Sequence, residues 1–168
     1  MNDLMWLLQL PMAVLRGCRA RLRPGNRLPS LNDFKQRIWN GDSSKYDTFV
    51  VTLRYYFPEG VRVYVSGSSA TGWNFLSGKP FDDQSDLDIV LVGPRARSLF
   101  GARAGRHMGQ TTFPFPKEWS QDPSDKLTAL HRILFEQTGR EVSLVAMTPF
   151  YRWVLELVNG PSMLLIVS

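Results

Sequence analysis

Two short apolar runs, separated by a turn of small residues, constrain the fold of this chain more than any other feature. The first run is VRVYV, at Val61–Val65, and the second is DLDIVLV, at Asp86–Val92. The first is followed directly by SGSSATG, at Ser66–Gly72. Short apolar runs bounded by turn residues are typical of buried strands. The sequence therefore predicts two strands, with the small-residue turn leading from the first into a helix.

Two aspartates open the second predicted strand. Asp86 and Asp88 are separated by one residue, so they project from the same face of an extended strand. A core strand has no structural need for two like charges side by side. One alternative is a pair of solvated acids at a strand end, and the other is a metal site. By itself such a pair is typical of solvated acids, but the small-residue turn before it and the apolar run after it favour a metal site. Carboxylates that act with phosphate oxygens and water are ligands that Mg²⁺ prefers, so we expect Asp86 and Asp88 to hold Mg²⁺.

The rest of the chain alternates helical and strand patterns. Ser30 begins a predicted helix that runs through Trp39, and Ser44 is expected to cap a longer helix that ends before Pro58. Further predicted elements are a helix from Asp122 to Gly139, a third strand at Glu141–Met147 and a closing helix or strand at Phe150–Val158. Residues 93–121 are predicted to be irregular. These elements indicate an α/β (α+β) fold, a small mixed sheet flanked by helices in a single domain.

We divide the chain into an N-terminal apolar and basic segment with a linker, residues 1–29, and a domain, residues 30–168. The apolar run Leu4–Leu15 is broken by Gln9 and Pro11 and is shorter than the ~20 residues of a membrane span, so no transmembrane segment is predicted. We expect this run to pack on the core, on a partner or on a membrane surface. Its arginines follow the apolar run, unlike those of a secretory signal, and we expect a cytoplasmic protein.

The net charge of +5 is concentrated in two stretches that contain no acidic residue. Residues 16–27 hold five arginines, and residues 93–117, within a basic insertion at 93–121, hold four arginines and one lysine. Such stretches indicate a polyanionic partner or, more simply, solvated arginines. One cysteine and two histidines exclude a disulfide framework and disfavour a closed zinc site. His131 lies on the apolar side of its predicted helix and is expected to be a core residue.

The stretch VSGSSATG followed by SDLDIVLV resembles the signature of the polymerase-β-like nucleotidyltransferase superfamily, and it is closest to the minimal nucleotidyltransferases. The resemblance covers roughly residues 45–149. It implies a nucleotidyltransferase-like fold and an enzyme that moves a nucleoside monophosphate from an NTP, such as ATP, onto a hydroxyl of RNA, protein or a small molecule. Minimal members often belong to toxin–antitoxin pairs. The resemblance thus implies a helical protein partner, with a homo-oligomer as the other possibility.

Carried over residue by residue, the resemblance assigns nucleotide binding to Gly67, Ser68 and Ser69. It assigns catalysis and Mg²⁺ binding to Asp86 and Asp88, with two ions in the active complex.

This chain departs from the family pattern at two points. The spacer between Ser68 and Asp86 is seventeen residues, longer than usual, which implies an insertion around residues 74–84. The family's third catalytic carboxylate lies on a later strand, where alignment places Ser143 and leaves Glu141 two residues earlier. We expect Glu141 to be the third catalytic residue, with Ser143 at that position as the alternative.

Two other functions remain open from the sequence. If the third acid is absent, the chain would be a diverged, non-catalytic module that binds nucleotide, RNA or a partner. If the aspartate pair is incidental, it would be a basic RNA-binding protein.

Overall fold

The computed structural model describes most of the domain predicted from the sequence. The described residues are 29–74, 78–96, 99, 105–107, 110–112, 126–159 and 163–168. The chain before residue 29, most of the basic insertion and the predicted helix cap at Asp122 lie outside these ranges. What the sequence predicts for those segments stays a prediction.

The described residues form a mixed α+β fold with five helices and six strands. The helices are α1 (Leu31–Trp39), α2 (Ser43–Tyr56), α3 (Gly67–Thr71), α4 (Lys126–Thr138) and α5 (Pro149–Asn159). The strands are β1 (Arg62–Ser66), β2 (Leu87–Val92), β3 (Gly105–His107), β4 (Gln110–Thr112), β5 (Val142–Met147) and β6 (Met163–Val167). In the described part of the chain, no helix has the length and apolar character needed to cross a membrane.

All six strands belong to one sheet in the order β3-β4-β5-β2-β1-β6. The pair β2–β5 is parallel, and the other four neighbouring pairs are antiparallel. The mixed sheet flanked by helices confirms the predicted fold class. The irregular structure predicted for residues 93–121 is wrong in part, because β3 and β4 form there. Their polar and glycine residues carry no apolar alternation, so the pairing with β5 determines these strands.

The helix starts agree with the sequence in one case and differ in another. The Ser30 side chain accepts a hydrogen bond from the Asp33 N–H at the start of α1, which confirms the predicted cap. The prediction that Ser44 caps α2 is wrong, since the cap is Asp42. The Asp42 carboxylate accepts from the backbone N–H groups of Ser44 and Lys45, and it also accepts from the Ser44 hydroxyl. A carboxylate two residues upstream thus takes the capping role.

The two faces of the sheet bury different amounts of apolar side chain. Alternate residues of β1, β2 and β5 face α1, α2 and α4, and they form the larger core with Phe34, Phe49, Leu53, Leu130 and Leu134. The opposite face carries a smaller cluster, Tyr64, Val90, Val92 and Met147, against which Leu155 of α5 packs. On this second face the Arg152 guanidinium stacks on the Tyr64 ring, 4.4 Å from the ring centroid.

Candidate metal and nucleotide site

The centre of the candidate site is a polar row across three neighbouring strands. Asp88 of β2 pairs with Ser66, the last residue of β1, and with Ser143 of β5. Directly paired residues project from the same face of a sheet. Since Asp88 alternates with Ile89 and shares its face with Val90, this row lies on the second face, beyond the edge of its small apolar cluster.

Burial and a neighbouring carboxylate disfavour the ionised form of Asp88. Burial of the carboxyl raises the pKa of Asp88, the hydrogen bond from Ser143 lowers it and the nearby Asp86 carboxylate raises it, and the net result is a pKa of about 6. The Ser143 hydroxyl donates to Asp88 Oδ1 over 2.5 Å. No lysine or arginine among the described residues is among these influences. At neutral pH the carboxylate is ionised in surroundings that oppose its charge, and a bound cation would relieve that cost.

Gly67 is a glycine because Asp88 lies against it. Its φ of +64° is in the left-handed region, which favours glycine. A Cβ atom at this position would lie 2.7 Å from Asp88 Oδ2, closer than a side chain can approach. The family resemblance assigns nucleotide binding to this glycine. In the structure, the group that lies against this glycine is the carboxylate of Asp88.

The serines that follow Gly67 stabilise the turn in which they lie. Ser69 is fully buried, and its hydroxyl donates to the Ser66 carbonyl over 2.6 Å. The Ser68 carbonyl accepts from the Gly72 N–H at 2.7 Å. The Thr71 hydroxyl donates to the Gly67 carbonyl at 3.0 Å. These bonds make α3 a compact single turn, and the Ser69 hydroxyl is used within it.

Arg37 joins this turn to α1 and was not identified from the sequence. Its guanidinium donates to the carbonyls of Ser69 and Ala70, at 3.1 and 2.6 Å. A Cβ on Gly72 would approach the same guanidinium to 3.2 Å. Partial burial lowers the pKa of Arg37, and Asp33 opposes that shift. Because Arg37 and Ser69 are 32 residues apart in sequence, no local pattern could have indicated the contact.

Asp86 lies one residue before β2 and is half-buried. It is close enough to Asp88 for its charge to raise the pKa of that carboxyl. The next residue, Leu87, donates its N–H to the Glu141 carbonyl over 2.8 Å, which fixes the backbone immediately after Asp86. The structure therefore brings Asp86 and Asp88 together, as the sequence suggested.

Of the two candidates for the third catalytic position, Ser143 is the one beside Asp88. Glu141 lies just before β5, and its Oε2 is 3.7 Å from Nε2 of His131 on α4, the helix that covers the opposite face. The Glu141 side chain is 59% exposed. His131 is buried, in agreement with the core role expected for it, and burial lowers its pKa while Glu141 opposes that shift.

The donors at the site suit a cation that takes part of its coordination from a substrate. In the described ranges, no group of three or more His, Cys, Asp and Glu side chains is arranged to hold a metal ion. The site offers the two carboxylates of Asp86 and Asp88. Mg²⁺ is commonly held by one or two carboxylates together with water and phosphate oxygens, so this pair fits Mg²⁺ that keeps bound waters and exchanges some of them for substrate phosphate oxygens.

Comparison of the chain with protein-family models, with curated proteins and with solved structures gives no match.

Proposed function

We propose that this protein is a Mg²⁺-dependent nucleotidyltransferase, which moves a nucleoside monophosphate from an NTP onto a hydroxyl of an acceptor. The observation that supports this most strongly is the environment of Asp88. A mostly buried carboxylate lies beside a second carboxylate and against a glycine turn, and its pKa is raised to about 6. A structural role in the sheet does not need this arrangement, whereas a cation site does.

Each motif residue has a distinct role in the proposal. Asp86 and Asp88 would hold Mg²⁺, which when bound would supply positive charge to offset the negative charge of the triphosphate. Ser143 orients Asp88 through the hydrogen bond to Oδ1. Gly67 gives both the Asp88 carboxylate and a phosphate access to the backbone of the turn, where Ser68 and Ser69 follow. Positioning and charge neutralisation supply most of the catalysis in phosphoryl and nucleotidyl chemistry.

The acceptor and the partners follow from charge and from the family resemblance. The basic stretches suit a polyanionic acceptor such as RNA, or an acidic surface on a protein. The resemblance to minimal nucleotidyltransferases favours a helical protein partner, as in toxin–antitoxin pairs, or a second copy of the chain. Each of these is part of the proposal.

The experiment is incubation of the purified full chain with each α-³²P-labelled NTP and Mg²⁺, with cellular RNA and lysate protein as acceptors. Asp88→Asn is the matched variant, because asparagine has nearly the same shape, keeps an acceptor oxygen for Ser143 and removes the negative charge. Transfer of label by wild type, and its loss in Asp88→Asn and in EDTA, is the expected result. Equal transfer by wild type and Asp88→Asn would show that the aspartate pair is not the site.

A second function, nucleotide binding without transfer, is favoured by one specific observation. Ser143, which is not an acid, lies beside Asp88, while the Glu141 carboxylate lies at His131. In the family pattern the third acid activates the acceptor hydroxyl, so its replacement would leave binding and remove transfer. This function would be identified if wild type retains labelled NTP without releasing pyrophosphate and Asp88→Asn no longer retains the NTP. Gain of pyrophosphate release in Ser143→Asp would support it further.

A further inference from the structure

We propose that Arg140 is the positioning residue that sets Asp86 beside Asp88. The inference rests on the proposed metal site, and it concerns a residue outside both sequence motifs. Arg140 lies between α4 and β5, two residues before the first residue pair of the parallel β2–β5 ladder.

The guanidinium of Arg140 clamps the loop that leads to Asp86. One terminal nitrogen, Nη1, donates to the Asp82 carbonyl at 2.5 Å and to the Ser85 carbonyl at 3.1 Å. The other, Nη2, lies 3.4 Å from Oδ1 of Asp83. The guanidinium carbon also stacks over the Phe81 ring, 4.4 Å from its centroid. Only 10% of the Arg140 side chain is exposed, so the loop covers it almost completely.

The backbone on both sides of Asp86 is bonded to consecutive residues of the segment that enters β5. Before Asp86, the Ser85 carbonyl accepts from Arg140. After Asp86, the Leu87 N–H donates to the Glu141 carbonyl at 2.8 Å. The same segment places Ser143 on Asp88 two residues later. Arg140 thus couples the position of Asp86 to the strand that orients Asp88.

Further hydrogen bonds hold the loop that Arg140 contacts. The Asp82 carboxylate accepts from the Gln84 N–H at 3.1 Å and from the Ser85 hydroxyl at 2.8 Å. The Phe81 N–H donates to the Gly72 carbonyl at 2.9 Å, which ties the loop to the residue after α3. The turn that Arg140 holds is thus also bonded internally and to Gly72, and Asp86 follows it directly.

The long spacer explains why a clamp is needed. Seventeen residues separate Ser68 from Asp86, and a chain of that length samples many positions unless it is held. Arginine suits the task, since its planar fork presents several donors in a fixed geometry and stacks on an aromatic ring, whereas lysine presents a single ammonium. Residues that orient metal ligands typically change metal affinity about 10- to 100-fold when they are removed.

The test is Mn²⁺ binding to the full chain, measured by electron paramagnetic resonance, with Mn²⁺ as the paramagnetic substitute for Mg²⁺. The variants are Arg140→Ala, Arg140→Lys and, as a matched control, Arg132→Ala, which removes an exposed arginine of α4. Circular dichroism at the assay temperature establishes that each variant is folded. We expect Arg140→Ala to bind Mn²⁺ at least about tenfold more weakly than wild type, while Arg132→Ala binds as wild type does.

The outcomes separate this inference from the proposed function. If wild type binds Mn²⁺ and a folded Arg140→Ala binds equally well, the positioning role of Arg140 is overturned and the metal site stands. If wild type shows no saturable Mn²⁺ binding, or if Asp88→Asn still binds Mn²⁺ as wild type does, the metal site and the role of Arg140 are both overturned. Should Arg140→Ala not fold, Arg140→Lys decides: weaker binding supports the role, and unchanged binding overturns it.

Discussion

The two faces of the central sheet are built from the same strands, yet they serve different purposes. The face towards α1, α2 and α4 is apolar along the whole length of β1, β2 and β5. The face towards α5 has a smaller apolar cluster and ends in the polar row of Ser66, Asp88 and Ser143. Because neighbouring residues of a strand face opposite ways, one position can stabilise the core while the next belongs to the proposed metal site. In β2 these positions are Ile89 and Asp88.

Ile89→Ala is expected to have the largest effect on stability. Ile89 is fully buried in the larger core, and truncation of such a side chain to alanine costs about 2–5 kcal/mol of unfolding free energy. Urea denaturation measures the change. The control is Val51→Ala on α2, where the side chain is 65% exposed and we expect a change within about 0.5 kcal/mol. A small effect at Ile89 would mean that the face towards α1, α2 and α4 is not the one that stabilises the fold.

Asp88→Asn, one residue away, is expected to change stability in the opposite direction. The folded-state pKa of Asp88 is raised to about 6, above the ordinary 3.8, so the carboxyl favours the folded state when protonated. That contribution is complete below pH 3.8 and is lost as the pH rises through 6. At pH 7.5 without metal, Asp88→Asn should therefore be more stable than wild type by up to about 3 kcal/mol.

Urea denaturation at pH 7.5 and at pH 3.5 tests this sign. The gain should be present at the higher pH and absent at the lower one. A destabilised Asp88→Asn at pH 7.5 would show that the charge of Asp88 is favourable in the fold, against the cation-site interpretation.

Gly67→Ala tests the contact between the small-residue turn and Asp88 of the polar row. The added methyl group would meet Asp88 Oδ2 at 2.7 Å, and the φ of +64° adds backbone strain of about 1 kcal/mol. Gly60→Ala is the matched control, because Gly60 has a φ of +84° and open space around it. We expect Gly67→Ala to lose Mn²⁺ binding and to be destabilised more than Gly60→Ala, measured by resonance titration and thermal unfolding. Equal effects of the two would show that the contact has no role.

The smallest expected effect is the dependence of metal binding on pH. In the proposed site a metal would bind the ionised carboxylates, so protons would compete with it as the pH falls below the Asp88 pKa of about 6. The apparent Mn²⁺ affinity of wild type should be nearly constant from pH 7 to pH 8 and about tenfold weaker one pH unit below that pKa. Affinity that stays constant down to pH 4 would contradict binding through Asp88.

Sequence reasoning predicted the features that depend on neighbouring residues. The cap at Ser30, the strands on either side of the small-residue turn, and the proximity of Asp86 and Asp88 all follow from local spacing. The fold class could be predicted for the same reason, because the alternation of helices and strands appears in the apolar pattern. What the sequence suggests about transfer chemistry remains a proposal.

The features that depend on distant residues could not be predicted. Arg37 and Arg140 bind loops 32 and 58 residues away, so no periodicity relates them to the site. Strand β6 was not predicted, because a short apolar run such as Met163–Val167 fits a buried strand and a buried helix segment equally well. Whether Ser143 or Glu141 lies beside Asp88 is decided by the β2–β5 register, which pairs Asp88 with Ser143.

The contact between Gly67 and Asp88 has a consequence for how the two positions can vary. Position 67 is limited by its positive φ whatever its neighbour, and the contact with Asp88 Oδ2 adds a second limit only while residue 88 extends a carboxylate towards it. In a library that randomises both positions, alanine at 67 should survive more often beside alanine at 88 than beside aspartate. The two motifs, twenty-one positions apart along the chain, would then be inherited as one epistatic pair, with the order of substitution deciding which intermediates are viable.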